Sequence, residues 1–382
     1  MKIARVVATP LSVPVVLDAA GMQKKTSLSV CLVEVHADDG RVGHGMTAIT
    51  EEEVVAAAVN EVLSHHLKGE DPLAHEKLWE RMYWLLSPRG QTGYASHAIA
   101  AVDVALWDLK GQVLDQPVWR LLGGARTRVP IYTTFGFGAY DRDELAAAAK
   151  WWTARGHRHL KMVVGHHGLQ RRDEPRPLGE LIAEDARRVR AVRDATDAEL
   201  HVDANCSLDS FHATALARAI EPVGISFFEE PVKENDIPAL LQLKRDTRIP
   251  LAAGQNEGLA WRFRDLISSR CIDIVQPNVV IGGGFTQCAR IAALAAAYNL
   301  PMANGGAWPF HNLHLHGGLA NGGTVEYHYA SVKVCEAICG PLPEPKDGWL
   351  DLPQAPGLGF APDPHRVREL AKLGTSHGKG KA

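Results

Sequence analysis

Three short apolar runs in the middle of the chain end in acid or amide side chains. They are Leu200-His201-Val202-Asp203-Ala204-Asn205, Ile225-Ser226-Phe227-Phe228-Glu229-Glu230-Pro231 and Pro250-Leu251-Ala252-Ala253-Gly254-Gln255-Asn256-Glu257. Asp203 precedes Glu229 by 26 residues and Glu229 precedes Gln255 by 26 again (229 − 203, 255 − 229). Each interval has room for one helix, so the period is one strand plus one helix, the pattern of a parallel sheet. Oxygen side chains at the ends of successive parallel strands converge on one point if the sheet closes into a barrel. A hard cation such as Mg²⁺ takes such a set of oxygens. The competing reading is local, because Asp, Asn and Glu also cap helices where a strand gives way to a helix.

The elements that must position these groups are legible along the chain. Residues 2–9, 27–37 and 41–47 read as strands, with Asp38-Asp39-Gly40 as a hairpin turn. A helix over 51–67 is expected to be capped by Thr50 with Glu53 three residues on. Helices over 73–86 and 95–115 follow, and Gly123-Gly124 with Pro130 marks a boundary. After it come strand candidates at 131–135, 158–164, 199–203, 225–229, 250–254, 272–276, 301–304 and 324–327, with helices between them. Eight strands in this register are the pattern of a TIM-type α/β barrel; an open doubly wound sheet is the alternative. Gly282-Gly283-Gly284 reads as a tight turn, since no Lys-Ser/Thr pair follows to make a phosphate loop. The His-, Arg- and Pro-rich stretch 165–178 reads as a lid or wall at the barrel mouth. The chain thus divides into a capping unit over 1–125, a barrel over 126–350, a segment over 351–371 that returns to the cap, and a Gly/Lys/Ser-rich tail over 372–382 expected to be disordered.

Charge and cysteine content remove several function classes. The 382 residues carry 41 basic and 44 acidic side chains for a net −3, without long runs of one sign, which argues against nucleic acid and anionic membranes as partners. No apolar run reaches the length of a membrane span, and Met1-Lys2-Ile3-Ala4-Arg5 alternates like a strand rather than a signal peptide. The six Cys form no Cys-x-x-Cys pair, which fits reduced thiols and a cytoplasmic location.

With these residues assembled, the chain resembles the enolase superfamily, mandelate racemase subgroup, over about residues 2–368. The resemblance rests on Asp203-Ala204-Asn205, Glu229-Glu230-Pro231, Ile281-Gly282-Gly283, Ala105-Leu106-Trp107-Asp108 with Gly123-Gly124, and Pro356-Gly357-Leu358-Gly359. It implies a (β/α)7β barrel under an α+β cap. It also implies one Mg²⁺ at the ends of the third to fifth strands, and abstraction of the proton α to the carboxylate of a small organic acid. Such a proton is weakly acidic, so the chemistry needs a cation on the carboxylate and a base beside the carbon. Asp203 and Glu229 match the first two ligand positions, and Glu326 matches the eighth-strand Glu that meets the substrate carboxylate.

Several positions depart from the family pattern. The third ligand position is Gln255, an uncharged oxygen donor, with Glu257 two residues on as a substitute. The usual second-strand base position holds Val163, leaving Lys161. The strand-six and strand-seven Asp-His dyad is replaced by Asn278 and Gly305. Lys161 is expected to face the barrel, with a pKa lowered by a nearby cation so that it can serve as base; equally, it could only hold the carboxylate. His311 is the second candidate for proton transfer, followed by His166, His167 and Tyr132. Gly21-Met22-Gln23-Lys24-Lys25 reads as a mobile cap loop whose Lys24 and Lys25 would meet substrate, and His44 with Met46 belongs to a second such loop. Asn205 and Asn278 complete the expected substrate contacts.

Four functions fit these residues: a dehydratase of an acid sugar or related hydroxy acid; a racemase, epimerase or cycloisomerase on the same scaffold; a zinc hydrolase built on His311, His314 and His316; and a binding protein that has lost its bases. A capped barrel of this kind is also expected to form a homo-oligomer.

Overall fold

The computed structural model describes residues 1–90, 93–165, 168 and 178–377. His166 and His167 lie outside the described residues. The cap begins with a three-stranded antiparallel sheet, β1 (Ile3–Ala19), β2 (Met22–Ala37) and β3 (Val42–Ala48). β1 and β2 pair without a break up to Ala19–Met22, so the expected cap loop is the tip of a long hairpin and Lys24 and Lys25 are strand residues. Alternation along β1 is long enough to carry the ribbon from the cap core out to the barrel, and only Ala20 and Gly21, both at positive φ, make the turn.

Helix Tyr94–Leu114 packs across the sheet, its Ala-rich sequence letting a strand approach closely. A Cβ on Gly45 would lie 2.1 Å from the Ala101 carbonyl oxygen, so β3 can lie against this helix only with glycine there. The capping box expected at Thr50 is not formed. Helix Glu52–Ala57 has Glu51 at its N-cap with no side-chain hydrogen bond, and the Thr50 amide instead donates to Ser29 Oγ at 3.0 Å.

The barrel strands are β4 (Arg128–Gly136), β5 (His159–Val163), β6 (Glu199–Asp203), β7 (Ile225–Glu229), β8 (Leu251–Ala253), β9 (Ile274–Val275) and β10 (Val325–His328). They run in parallel order from β4 to β9, and β10 pairs with β4. The expected strand at 301–304 is reduced to single bridges, Met302 to Val275 and Ala303 to Thr324, which close the ring between β9 and β10. Asn304 explains the economy: its amide hydrogen reaches the Thr324 carbonyl at 2.8 Å, its Oδ1 accepts from the Glu326 amide at 3.1 Å, and its Nδ2 donates to the Gly305 carbonyl at 2.8 Å. Strand β11 (Trp349–Asp351) adds antiparallel to β4, and the chain then returns to the cap.

Cap and barrel are joined by buried polar contacts from the residues of the Ala-Leu-Trp-Asp motif. Trp107 Nε1 donates to Thr286 Oγ1 at 2.9 Å, and Asp108 accepts from the amides of His44 at 2.8 Å and Leu358 at 2.7 Å. Trp79 Nε1 donates to the Gly283 carbonyl at 2.8 Å, and a Cβ on Gly284 (φ +86°) would lie 2.2 Å from Asp103 Oδ2. The triple glycine is therefore a docking turn, as its sequence suggests. The tail expected to be disordered from residue 372 is bound as far as His377: Gly374 accepts from the Ser12 amide, and Thr375, Ser376 and His377 hydrogen-bond to Glu53, Glu52 and Glu51.

Asp103 sits fully buried in this junction and accepts from the Thr286 amide and hydroxyl at 3.0 and 2.6 Å. Burial outweighs those hydrogen bonds and pushes its carboxyl up to about 7. The folded chain thus keeps a proton that the unfolded chain loses near pH 4, so this contribution to stability is present at low pH and is lost as pH rises toward 7. Denaturant unfolding is expected to show a stability decline on the order of a few kcal/mol across that window, flattened in Asp103→Asn.

Candidate functional site

The side chains that meet at the C-terminal ends of the barrel strands are those whose parity points inward. Asp203 and Glu229 are register partners on β6 and β7. Lys161, on β5, is fully buried, and its Nζ lies 3.1 Å from Asp203, 2.8 Å from both oxygens of Glu229 and 2.9 Å from Glu326 on β10. One ammonium thus touches three carboxylates from three different strands. Burial alone would lower the Lys161 pKa, but Asp203, Glu229 and Glu326 together outweigh it and hold the group well above the ordinary lysine range. In this arrangement Lys161 is a cationic anchor for the three carboxylates; the expected lowering is one that a bound cation would cause. Burial and the adjacent Asp203 push the Glu229 carboxyl up. Glu326 goes the other way despite its burial, because Lys161 and the hydrogen bond from Thr134 favour its anion. It also accepts from the Thr134 hydroxyl and, at 2.6 Å, from the Ala307 amide.

Gln255 joins this group and Glu257 does not. Gln255 Nε2 is 3.2 Å from Asp203 Oδ2 and 3.2 Å from Asn205 Oδ1. Glu257 instead accepts from Asn235 at 2.9 Å and Arg262 at 3.0 Å, on the wall of a separate surface pocket of about 670 Å³ with Cys206 and Asp236. The strand stops at Ala253 and the chain turns through Gly254 (φ +130°), so the two-residue parity linking 255 to 257 is broken. Sequence reasoning missed the pin of that turn, Glu230. It is fully buried and accepts from the amides of Gly254 at 3.3 Å and Asn256 at 3.1 Å, fixing the residue between them. Glu257→Gln is accordingly expected to leave the protein's response to Mg²⁺ unchanged within about twofold, measured by calorimetric titration.

The donor set suits a hard cation. It offers two carboxylates, the Asn205 carbonyl oxygen and the Gln255 amide, whose oxygen and nitrogen exchange places on a half-turn of the amide. Gln276 adds a further oxygen: its Nε2 donates to Glu229 at 2.9 Å while its buried Oε1 has no partner among the described residues.

Several expected site residues are placed elsewhere. Asn278 spends its amide on the Gly305 and Gly306 carbonyls (2.7 and 2.8 Å), and its oxygen accepts from the Val280 amide and Asn312, so it shapes the loop rather than facing substrate. His311 and His44 line a small cavity between cap and barrel with Met46, Cys335 and Phe360, away from Lys161. His314 Nδ1 accepts from the Trp119 amide and His316 Nδ1 from the Gly323 amide. The three histidines of the zinc alternative are thus dispersed into separate packing roles. The Tyr132 hydroxyl donates to the Asn304 carbonyl, and burial raises its pKa well above the usual value, which removes it as a base. Lys24 pairs with Glu144 at 2.7 Å and lies over the Tyr140 ring, while Lys25 is exposed.

Among the described residues, one group of His and acid side chains has metal-binding separations: His159, Glu199 and His201, with ligand atoms within 4.8 Å of one another. It lies at the opposite end of β5 and β6 from Val163 and Asp203. The His159 and His201 rings are stacked at 5.9 Å and nearly parallel (3°). His201 also stacks on Phe227 at 4.1 Å. This is the floor of the barrel.

A capped parallel barrel with carboxylates converging at its C-terminal mouth defines the class of protein. The comparisons give the family: residues 2–123 match the mandelate racemase / muconate lactonizing enzyme N-terminal domain, and residues 143–366 match the enolase C-terminal domain-like family. The chain belongs to the enolase superfamily, in its mandelate racemase/muconate lactonizing enzyme branch. It is 28% identical over 342 residues to an arabinonate dehydratase of Saccharolobus solfataricus, covering 87% of this chain and 88% of that one. It is 31% identical over 347 residues to a 3,6-anhydro-alpha-L-galactonate cycloisomerase of Streptomyces coelicolor, covering 89% and 90%. Among solved structures, L-talarate dehydratase from Polaromonas sp., complexed with Mg and L-glucarate, superposes with a TM-score of 0.82 at 29% identity, covering 97% of each chain.

Proposed function

We propose that this protein is an Mg²⁺-dependent lyase that dehydrates an acid sugar or related hydroxy acid by removing the proton α to its carboxylate. The observation that carries this reading is the single Lys161 nitrogen touching Asp203, Glu229 and Glu326 at the barrel mouth. Asp203, Glu229 and the Gln255 amide would hold the ion, which when bound would neutralise charge building on the substrate carboxylate. Glu326 orients Lys161 so that the ammonium meets a carboxylate oxygen. Lys161 can take up the α-proton only in its neutral form, which requires its separation from the carboxylates it now bridges. Tyr132, Phe227, Ala252 and Ala303 pack beneath as an apolar cluster that keeps water out and strengthens every charge interaction above it. The C–H electron pair becomes the carbon–carbon double bond, the β-hydroxyl leaves as water with the proton that Lys161 took up, and the resulting enol becomes a 2-keto acid. Support comes from the two dehydratases among the similar proteins and from the glucarate held by one of them.

The test is a panel of aldonic and aldaric acids with Mg²⁺, assayed for 2-keto acid. Formation from at least one member, abolished by chelator, is the expected result; silence across the panel contradicts dehydration. The cycloisomerase at 31% identity motivates a second reading as an isomerase. Solvent deuterium entering the α-carbon without keto acid selects it. The reading includes a homo-oligomer and a cytoplasmic location; the latter is supported by six free cysteines and by the absence, among the described residues, of a helix long and apolar enough to cross a membrane.

A further inference from the structure

The proton-transfer positions of the family are empty of titratable groups here, yet among the described residues an imidazole does face the mouth. His328 is the last residue of β10, two places beyond Glu326 on the same inward side; Tyr327 between them faces outward against Trp152 and His157. Its ring packs on Phe137, just past the end of the neighbouring strand β4, at 5.1 Å. It lies within electrostatic reach of Glu326, Lys161 and Asp203. His328 is also the N-cap of helix Tyr329–Cys339, and its Nδ1 accepts from the Ser331 amide at 3.3 Å.

That hydrogen bond determines what the ring can do. A backbone N–H can only donate, so Nδ1 must offer its lone pair, and the proton of the neutral ring must sit on Nε2. The ring hydrogen bonds to other described residues include none at Nε2. We infer that His328 is a substrate-contacting residue, a neutral imidazole locked by its own helix as the Nε2–H tautomer, that donates a hydrogen bond to a hydroxyl oxygen of the bound acid. Two residue steps separate it from Glu326, about 6.6 Å along the strand. It therefore meets the hydroxyl-bearing part of the substrate while Lys161, oriented by Glu326, holds the carboxylate. Burial lowers its pKa, and the positive end of the helix dipole works in the same direction. A neutral donor at this position would select polyhydroxy acids over simple carboxylates. This assignment of substrate contact rests on the function proposed above; the tautomer does not.

Two measurements separate them. In uniformly ¹⁵N-histidine-labelled protein at neutral pH, the His328 resonances, identified by their loss in His328→Asn, are expected to show a protonated Nε2 and a bare Nδ1. A cationic ring or an Nδ1–H tautomer overturns the inference whatever the enzyme's reaction. His328→Asn keeps an N-cap acceptor for the Ser331 amide but removes the outward donor. It is expected to keep the thermal midpoint and Mg²⁺ affinity while lowering kcat/KM about 10- to 100-fold on the best acid of the panel. His328→Gln, which restores an N–H at similar reach, is expected to recover part of the loss. If no acid is turned over, the Nε2 resonance is expected to move when D-glucarate and Mg²⁺ are added together. Unchanged kcat/KM in His328→Asn, or an unmoved resonance in the presence of bound glucarate, contradicts the contact.

Discussion

Lys161→Met is expected to lower kcat/KM about 10³-fold or more and, in chelator, to destabilise the fold by about 3–5 kcal/mol. The side chain is fully buried, and Asp203, Glu229 and Glu326 all lean on its ammonium. Methionine fills a similar volume but leaves three carboxylates facing one another without a cation. Their repulsion in a place water reaches poorly is the source of the cost. A divalent ion can supply the missing charge, so the variant's thermal midpoint is expected to recover in Mg²⁺ by more than the wild type gains. Thermal melts of both proteins with chelator and with Mg²⁺ read this directly. Equal gains in the two would show that the ion does not share the volume occupied by Lys161.

Glu229→Gln is expected to weaken Mg²⁺ binding about 100-fold and to lower kcat/KM by about 10³-fold, with little change in the thermal midpoint without metal. Glutamine keeps the shape and one oxygen for Lys161. It removes the anionic ligand and also relieves the crowding with Asp203 that pushes the Glu229 carboxyl up. Loss of function without loss of stability separates a metal ligand from a structural ion-pair partner. Calorimetric titration with Mg²⁺, beside a melt in chelator, gives both readings. A large drop in stability with unchanged metal binding would assign Glu229 to Lys161 alone.

The barrel is legible in the sequence because each strand and its helix consume a near-constant length of chain, and inward parity then aligns Lys161, Asp203, Glu229 and Glu326. Parity fails where a strand ends. Glu257 has the right spacing from Gln255, but the turn at Gly254 carries it to Arg262. The same limit hides His44 and His311, whose surroundings are set by the docking of cap on barrel rather than by local pattern. Lys24 and Lys25 read as a loop because Gly21 is a strong turn signal, whereas the hairpin simply continues past it. His328 lies two residues beyond Glu326, but the strand expected over 324–327 stops one residue short of it. The seventh strand is read at 301–304, but the chain there makes only single bridges, because the side-chain amide of Asn304 takes the place of part of the ladder.

The most direct measurement is a crystal structure with Mn²⁺ and D-glucarate, read in the anomalous difference map. One peak is expected touching Asp203 and Glu229, with the Gln255 amide oxygen turned toward it and a glucarate carboxylate between the ion and Lys161. A peak at Glu257, a peak at His159, Glu199 and His201, or no peak beside Asp203 would contradict that expectation.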